Sequence, residues 1–277
     1  MSMSKFTILL ILVINIITST KLVKPKDKAQ SGEELLNMMK FLPNQDKNNT
    51  NITDTSDYDS YVFSFQWGKT FCISKGDTKN CEDKLKHAKE NHFTLHGLWP
   101  GLKSGARIPD CSGHAKIEPD GSALFETMSH EWASFTDANE KFWDHEYNKH
   151  GYCYSIKTKS ENNYKKFFQQ TLDIFHSKPY ADLYLGIEKQ SKHNYNFDKL
   201  HEEFEKVIGK GFQLQCVNHA GIQLLSEIHI YMDLDFVVDP NPKFTGNFCS
   251  KTKDIFIFPF DYVPQKESVQ EITKAES

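Results

Sequence analysis

Residues 142–151 read Phe-Trp-Asp-His-Glu-Tyr-Asn-Lys-His-Gly, and this stretch of the 277-residue chain says most about its fold and chemistry. Two imidazoles, a carboxylate and an ammonium fall close together here, at His145, Glu146, Lys149 and His150. We expect a helix, because a rotation of about 100° per residue would place these four side chains within an arc of about 140°. They could then converge on one small anionic group, so the stretch predicts a functional site.

A second histidine lies upstream, in Phe93-Thr94-Leu95-His96-Gly97-Leu98-Trp99-Pro100. This apolar-rich run is interrupted by Gly and ended by Pro, which predicts a strand with its histidine near the end. Two histidines on rigid elements suit acid–base transfer at a phosphodiester, because one imidazole must take a proton and the other must give one. A nearby lysine can meet the charge that builds on the phosphate oxygens.

Both stretches resemble the active-site segments of the ribonuclease T2 family. Residues 96–100 read HGLWP, and residues 142–153 match the family pattern FWxHExxKHGxC. With the flanking strands, the resemblance covers residues 59–264, which we predict to be the catalytic domain. It implies an α+β fold with an antiparallel sheet, several packed helices and disulfide bonds. Tyr147 and Tyr152 stand where the family has Trp and Thr, and neither belongs to the proton-transfer set.

The resemblance implies an endoribonuclease that converts single-stranded RNA to a 2′,3′-cyclic phosphate and then hydrolyses it to a 3′-phosphate. It makes His150 the general base on the ribose 2′-hydroxyl and His96 the general acid for the departing 5′-oxygen. Glu146 and Lys149 would stabilise the pentacoordinate phosphate, and His145 would bind phosphate. The resemblance implies no metal ion and no cofactor.

Trp99 lies close to His96 in the first segment. The resemblance implies that its ring stacks on an RNA base, whereas the residues alone equally favour a buried Trp at a strand end. Lys103 and Arg107 follow, either as residues that steer phosphates or as ordinary solvated charges. Residues 102–109, which help to hold the base in relatives, show no pattern that indicates a base preference.

A zinc site is the alternative for the second segment, because Glu146 follows His145 as in metalloproteases. The spacing here is His-Glu-x-x-x-His, however, and not His-Glu-x-x-His. A separation of five places two imidazoles about 140° apart on a helix, whereas a separation of four gives about 40°. His130-Glu131 has no downstream histidine at either spacing. The spacing therefore favours a site without a metal.

The chain has six cysteines, an even number, and no Cys-x-x-Cys pair. In an exported chain this favours three disulfides over free thiols or zinc ligands, and the residues alone leave the connectivity open. The family resemblance implies the pairs Cys72–Cys81, Cys111–Cys153 and Cys216–Cys249. The middle pair would tie the loop after His96 to the end of the helix that carries His150.

The N-terminal residues predict export. An apolar run at residues 6–17 follows Lys5 and is too short to span a bilayer comfortably, so we predict a signal peptide at residues 1–20. An uncleaved anchor is the alternative. We therefore expect a protein that is secreted or delivered to the lysosome or vacuole.

Polar segments flank the predicted domain. Residues 21–58 predict a flexible leader, with a helix packed on the domain as the alternative, and residues 265–277 predict a polar tail. The leader contains glycosylation sequons at Asn48 and Asn51.

Periodicity indicates both strands and helices. Strand patterns cover residues 60–67, 227–238 and 255–260, and helical patterns cover residues 124–132, 140–149, 163–175 and 197–208. In the first strand, Tyr61, Phe63, Phe65 and Trp67 alternate with other residues, which predicts an aromatic core face. Helices between two groups of strands predict an α+β domain.

The net charge of −4 argues against a basic protein that coats long duplexes. A cleft with a few cations and stacking aromatics can still process a single strand of RNA. We predict single-stranded RNA as the substrate, no membrane partner and a monomer. The alternative function is a catalytically idle relative that serves for binding or storage. The intact set of catalytic residue types argues against it.

Overall fold

A computed structural model of the chain describes residues 58–76, 78–86, 88, 92–106, 108, 113–160, 163–177, 180, 194–246 and 248–261. All of them lie in one compact unit, Ile52–Ser277. The predicted signal peptide, both sequons and the polar tail lie outside the described residues, as do Arg107 and Cys111. Tyr58, assigned above to the leader, is buried and hydrogen-bonded to Tyr61, so the folded domain includes it.

The helices are α1 (Gly68–Lys75), α2 (Thr78–Leu85), α3 (Ala123–Glu131), α4 (Asn139–Glu146), α5 (Tyr152–Lys157), α6 (Tyr164–His176) and α7 (Phe197–Ile208), and a π-helical turn, Tyr147–Gly151, joins α4 to α5. The strands are β1 (Ser60–Gln66), β2 (Thr94–Gly101), β3 (Asn194–Tyr195), β4 (Phe212–His219), β5 (Ile222–Met232) and β6 (Ile255–Phe256). The periodicity predicted α3, α6 and α7 to within one residue at each end. Among the described residues, no helix is long and apolar enough to cross a bilayer.

β5 is the centre of a single sheet. One edge of β5 pairs antiparallel with β1, and the other edge of β1 pairs antiparallel with β2. β4 pairs antiparallel with the other edge of β5. β6 pairs parallel with β5 over two residue pairs, and β3 joins β6 antiparallel. The α+β class is confirmed, and the predicted antiparallel sheet is corrected to a mixed sheet at β6.

The aromatic face of β1 is core, as its alternation predicts. Phe63 and Phe65 are fully buried, and Tyr61 and Trp67 are almost so. Each contributes roughly 1.5–3 kcal/mol of burial free energy. On the opposite face of β1, Ser60, Ser64 and Gln66 are buried and Val62 is partly buried. The Ser64 hydroxyl is bonded to Glu227 of β5 at 3.0 Å.

The strand predicted over residues 227–238 is wrong at both ends, because β5 begins at Ile222 and ends at Met232. The Asp233 carboxylate accepts backbone N–H bonds from Asp235 and Val237, at 2.9 and 3.0 Å. Bonds of this local kind make a turn and compete with strand pairing. Phe236 then has a φ of 62°, a left-handed conformation that a strand does not contain.

Two of the three predicted disulfides are present. Cys72–Cys81 joins α1 to α2, and Cys216–Cys249 joins β4 to the segment before β6. The third pairing involves Cys111, outside the described residues, so it stays a prediction. Cys153, its predicted partner, lies fully buried in α5.

Candidate active site

His96 is the extra residue of a β-bulge. In the pairing of β1 with β2, Ser64 faces Gly97 and Phe65 faces Leu95, so His96 has no partner across the strands. Bulges re-aim side chains, and they are common next to active sites. His96 is the third residue of β2, so the prediction that it lies near the end of the strand is wrong. The bulge explains how its imidazole comes to point across β1 toward polar groups.

The second histidine segment departs from the predicted α-helix. α4 ends at Glu146, and Lys149 and His150 lie in the π-helical turn that follows. The arc of about 140° derived for an ideal α-helix therefore does not extend past α4. Gly151 allows the turn to pack closely, because a Cβ there would lie 2.6 Å from ring atoms of Tyr147 and Phe167. Single π-helical turns are frequent at functional sites.

A chain of buried tryptophans connects the two segments. Trp143 of α4 donates its indole N–H to the Trp132 carbonyl at 2.8 Å, and Trp132 donates its own to the His96 carbonyl at 2.9 Å. Both indoles are buried. The backbone of the bulge is thus connected by hydrogen bonds, through two buried side chains, to the helix that carries Glu146.

Trp99 stands where the predicted site residues meet. Its indole N–H donates to Glu146 Oε2 at 2.9 Å. Its ring lies 4.8 Å from that of His96 in an edge-on contact, and 5.6 Å from that of His150. The structure therefore brings His96, Trp99, Glu146 and His150 into one cluster. Trp99 is only partly buried. Its edge-on contact with His96 and its hydrogen bond to Glu146 fix the orientation of its ring.

Gly97 leaves the space that the bond between Trp99 and Glu146 occupies. A Cβ at Gly97 would lie 2.2 Å from Glu146 Oε2 and 2.4 Å from Trp99 Nε1. Real Cβ atoms do not come so close, so any side chain here would separate the two groups. Steric exclusion of any larger side chain therefore explains the glycine at position 97 of the HGLWP segment.

Glu146 is only 1% exposed. Burial raises the pKa of its carboxyl, against the opposing effects of His96, the Trp99 hydrogen bond and Lys149. A carboxyl in such a position can be kept ionised or protonated by small changes in nearby charge. Its Oε1 lies 3.9 Å from His96 Nε2, beyond hydrogen-bond distance.

His150 lies among positive charges. Burial and, to a smaller extent, charge repulsion from Lys149, His145 and His96 together lower its pKa to about 3. The His145 side chain is exposed for the most part. Its pKa is also lowered, first by the part of the ring that is buried and then by the charge of Lys149. A neutral imidazole at His150 is therefore favoured through the whole mildly acidic range.

His96 has the opposite shift. Burial acts to lower its pKa, but Glu227 outweighs burial by a hydrogen bond and by its charge, and Glu146 adds to this. The net pKa is raised above that of an ordinary imidazole. Glu227 Oε1 lies 3.1 Å from His96 Nδ1.

Glu227 and His229 of β5 belong to the cluster, and the sequence analysis assigned no role to either. Glu227 Oε2 is bonded to His229 Nε2 at 2.6 Å and to the Ser64 hydroxyl at 3.0 Å. The His229 ring meets the Trp99 ring edge-on at 5.3 Å. The available signal was two ionisable side chains at alternate positions of a strand, Glu227 and His229, because such positions lie on the same face.

A cleft of about 470 Å³ opens beside Trp99, Lys149 and His150. Its apolar walls come from Val62, Pro100, Leu102 and Ile108. Lys149 and Lys243 are the charged residues among the described ones that line it, and both are basic. A positive cleft on an acidic chain favours an anionic ligand.

The geometry gives the zinc alternative no support. Among the described residues, no group of three or more His, Cys, Asp or Glu side chains is placed to hold a metal ion. Glu146, which that alternative requires as a base beside the metal, instead accepts the bond from Trp99. His130 of the similar string His130-Glu131 is exposed, on α3.

Solved structures similar to this fold include ribonucleases and a ribonuclease-related protein. An RNase-related protein from Calystegia sepium superposes with a TM-score of 0.58 and 20% identity, covering 74% of this chain and 98% of the other. RNase NT in complex with 5′-AMP gives a TM-score of 0.55 and 21% identity, covering 73% and 99%. At these identities the likeness establishes the fold.

Sequence comparison identifies the family as well as the fold. A ribonuclease T2 of Danio rerio is 30% identical over 184 residues, which are 63% of this chain and 69% of the relative. An intracellular ribonuclease LX of Solanum lycopersicum is 27% identical over 189 residues, which are 65% and 75%. The sequence profile of the ribonuclease T2 family matches residues 58–253, most of the chain. The chain therefore belongs to the ribonuclease T2 family.

Proposed function

We propose that this protein is an endoribonuclease that cuts single-stranded RNA without a metal ion, with His150 as the base and His96 as the acid. One observation carries the proposal: His96 and His150 both lie against the Trp99 ring, and the pKa of His96 is raised while that of His150 is lowered. Between the two pKa values, one imidazole is neutral and the other is protonated. Those are the states that a base and an acid need at the start of the reaction.

In the first step, the ribose 2′-oxygen attacks phosphorus and its proton passes to neutral His150. The bond from phosphorus to the 5′-oxygen breaks, and protonated His96 gives that oxygen its proton. The products are a 2′,3′-cyclic phosphate and a free 5′-hydroxyl. The net charge of the two histidines is unchanged, because one gains the proton that the other loses.

In the second step the roles reverse. Neutral His96 takes a proton from water as the water oxygen attacks phosphorus, and protonated His150 returns a proton to the 2′-oxygen as its bond to phosphorus breaks. A 3′-phosphate results. Lys149, next to His150 on the cleft wall, would offset the negative charge on the phosphate oxygens in both steps.

Glu146 and His145 support the same reaction in different ways. Glu146 is buried beside the His96 ring, where a carboxylate stabilises the imidazolium, and its bond to Trp99 holds that ring in the cluster. His145 is exposed, which suits contact with a phosphate of the incoming strand.

We also propose that the protein is exported and monomeric. The disulfides Cys72–Cys81 and Cys216–Cys249 support export, because such bonds persist in oxidising compartments. The predicted signal peptide is a second support. Mass spectrometry of the mature protein would give its N-terminus and show whether Asn48 and Asn51 carry glycans.

A DNA oligonucleotide that contains one ribonucleotide tests the function. We expect one cut, on the 3′ side of that ribose, because the attacking group is its 2′-hydroxyl. The early product should carry a 2′,3′-cyclic phosphate, and the late product a 3′-phosphate heavier by one water. EDTA should leave the rate unchanged. RNA binding without any cut would favour the idle relative, and loss of the activity on chelation with recovery on adding zinc would favour a metalloenzyme.

A further inference from the structure

The two nitrogens of His96 face different groups. Nδ1 is bonded to Glu227 Oε1 at 3.1 Å. Nε2 points to the side of Glu146, whose nearer oxygen is 3.9 Å away, so that nitrogen makes no close contact with this carboxylate. The side chain of His96 is 30% exposed. Nε2 is therefore the nitrogen available to a reacting oxygen.

Glu227 is itself held in place by two neighbouring strands. Its second oxygen accepts bonds from the Ser64 hydroxyl of β1 and interacts with His229 of β5, at 3.0 and 2.6 Å. Ser64 and His229 face each other in the pairing of these strands. Burial raises the pKa of the Glu227 carboxyl, but His229 and His96 outweigh it and lower the pKa far below its ordinary value. The carboxylate therefore stays ionised through the mildly acidic and neutral range.

We propose that Glu227 is a positioning residue for His96, held in register by Ser64 and His229. Its carboxylate accepts a hydrogen bond from Nδ1–H, which turns Nε2 toward the departing 5′-oxygen and keeps the imidazolium charged until Nε2 donates its proton. A carboxylate on the far nitrogen of a catalytic histidine acts in this way in serine proteases. The inference rests on the proposed function, because it assigns His96 the role of acid.

Other charges near His96 act in both directions. The titratable groups that face it are Glu227 of β5, His145 and Glu146 of α4, and Lys149 and His150 of the π-helical turn. Of the two carboxylates, Glu227 alone makes a hydrogen bond to the ring. Removing the charge of Glu227 should therefore have the larger effect on the ionisation of His96.

Glu227→Gln is the test, with kcat/KM measured from pH 4 to pH 8.5. Because Glu227 raises the pKa of His96, the neutral amide should lower that pKa. The basic limb of the profile should then move down by about one pH unit or more. The rate should be closest to that of wild type at the acid end of the range, where the largest fraction of His96 is protonated, and it should fall further below wild type as the pH rises toward 8.

Two variants serve as controls. Glu205→Gln removes a carboxylate that lies 3.7 Å from His201 Nδ1 on α7, and it should leave the whole profile unchanged. Glu227→Asp keeps the charge on a shorter side chain, so the basic limb should stay near its wild-type position while the rate falls. Circular dichroism reports whether each variant is folded. If Glu227→Gln does not fold, Glu227→Asp and Ser64→Ala remain, and Ser64→Ala should lower the rate through a looser carboxylate.

NMR titration of the His96 ring in the absence of RNA separates the two proposals. A fall in the His96 pKa in Glu227→Gln supports the positioning contact even if the wild-type protein cuts no RNA. In that case only the proposed function fails. An unchanged His96 pKa, together with a rate lost equally at every pH, would assign Glu227 a purely structural role and overturn the inference.

Discussion

Acidification to pH 4.5 should leave His150 able to act as a base. An unperturbed imidazole with a pKa of about 6.5 is neutral in about 1% of molecules at this pH. With its pKa lowered to about 3 by burial and the charges of Lys149, His145 and His96, His150 is neutral in about 97% of molecules. The acid limb that it sets should therefore lie near pH 3, and kcat/KM at pH 4.5 should be about 100-fold higher than with an ordinary histidine.

The assay is kcat/KM for a dinucleoside monophosphate between pH 2.5 and pH 8.5, with folding checked by tryptophan fluorescence at each pH. Glu146 is a second ionisable group of the cluster, and burial raises its pKa. Repeating the profile in Glu146→Gln removes that ionisation and leaves His150. The raised pKa of His96 should place the basic limb above pH 6.5, so the profile is a broad plateau. An acid limb near pH 6 in Glu146→Gln would refute the electrostatic account of His150.

Three substitutions and one control test the placement of the site. His150→Ala should reduce turnover by about 10²-fold to 10⁴-fold, as for other positioned bases. The control His130→Ala changes an exposed side chain of α3 and should keep wild-type turnover in the same RNA assay. Gly97→Ala should reduce kcat by at least tenfold with little change in KM, because the new methyl lies 2.2 Å from Glu146 Oε2. His145→Ala should raise KM at least as much as it lowers kcat, since the exposed ring is assigned to phosphate binding. If His150→Ala kept full activity, His150 could not be the general base.

Local patterns predicted β1, α3, α6 and α7 closely but gave no prediction for α1, α2, α5, β3 or β4. The amphipathic pattern of residues 197–208 gave the bounds of α7, and the aromatic alternation of residues 60–67 identified the buried face of β1. In both segments the side-chain period agrees with burial against one neighbouring layer. The same reasoning failed after Met232, where alternating apolar residues continue but Asp233 makes a turn.

The site itself was predicted in its residue types but not in its geometry. His96, Glu146, Lys149 and His150 were named from two short segments. The π-helical turn depends on how closely Gly151 packs against α6, and the bulge at His96 depends on the pairing of two strands. Periodicity within one segment contains neither kind of information.

The amino-acid sequence by itself determined the family, the two histidine segments and the residues that could transfer protons, because these depend on local residue order. Only the tertiary structure placed Glu227 against His96, across 131 positions of sequence. It also made the two histidines electrostatically different, by burying His150 among cations and giving His96 a carboxylate partner. A pKa depends on burial and on charges within a few ångströms, and the sheet and helices bring those charges together from distant parts of the chain.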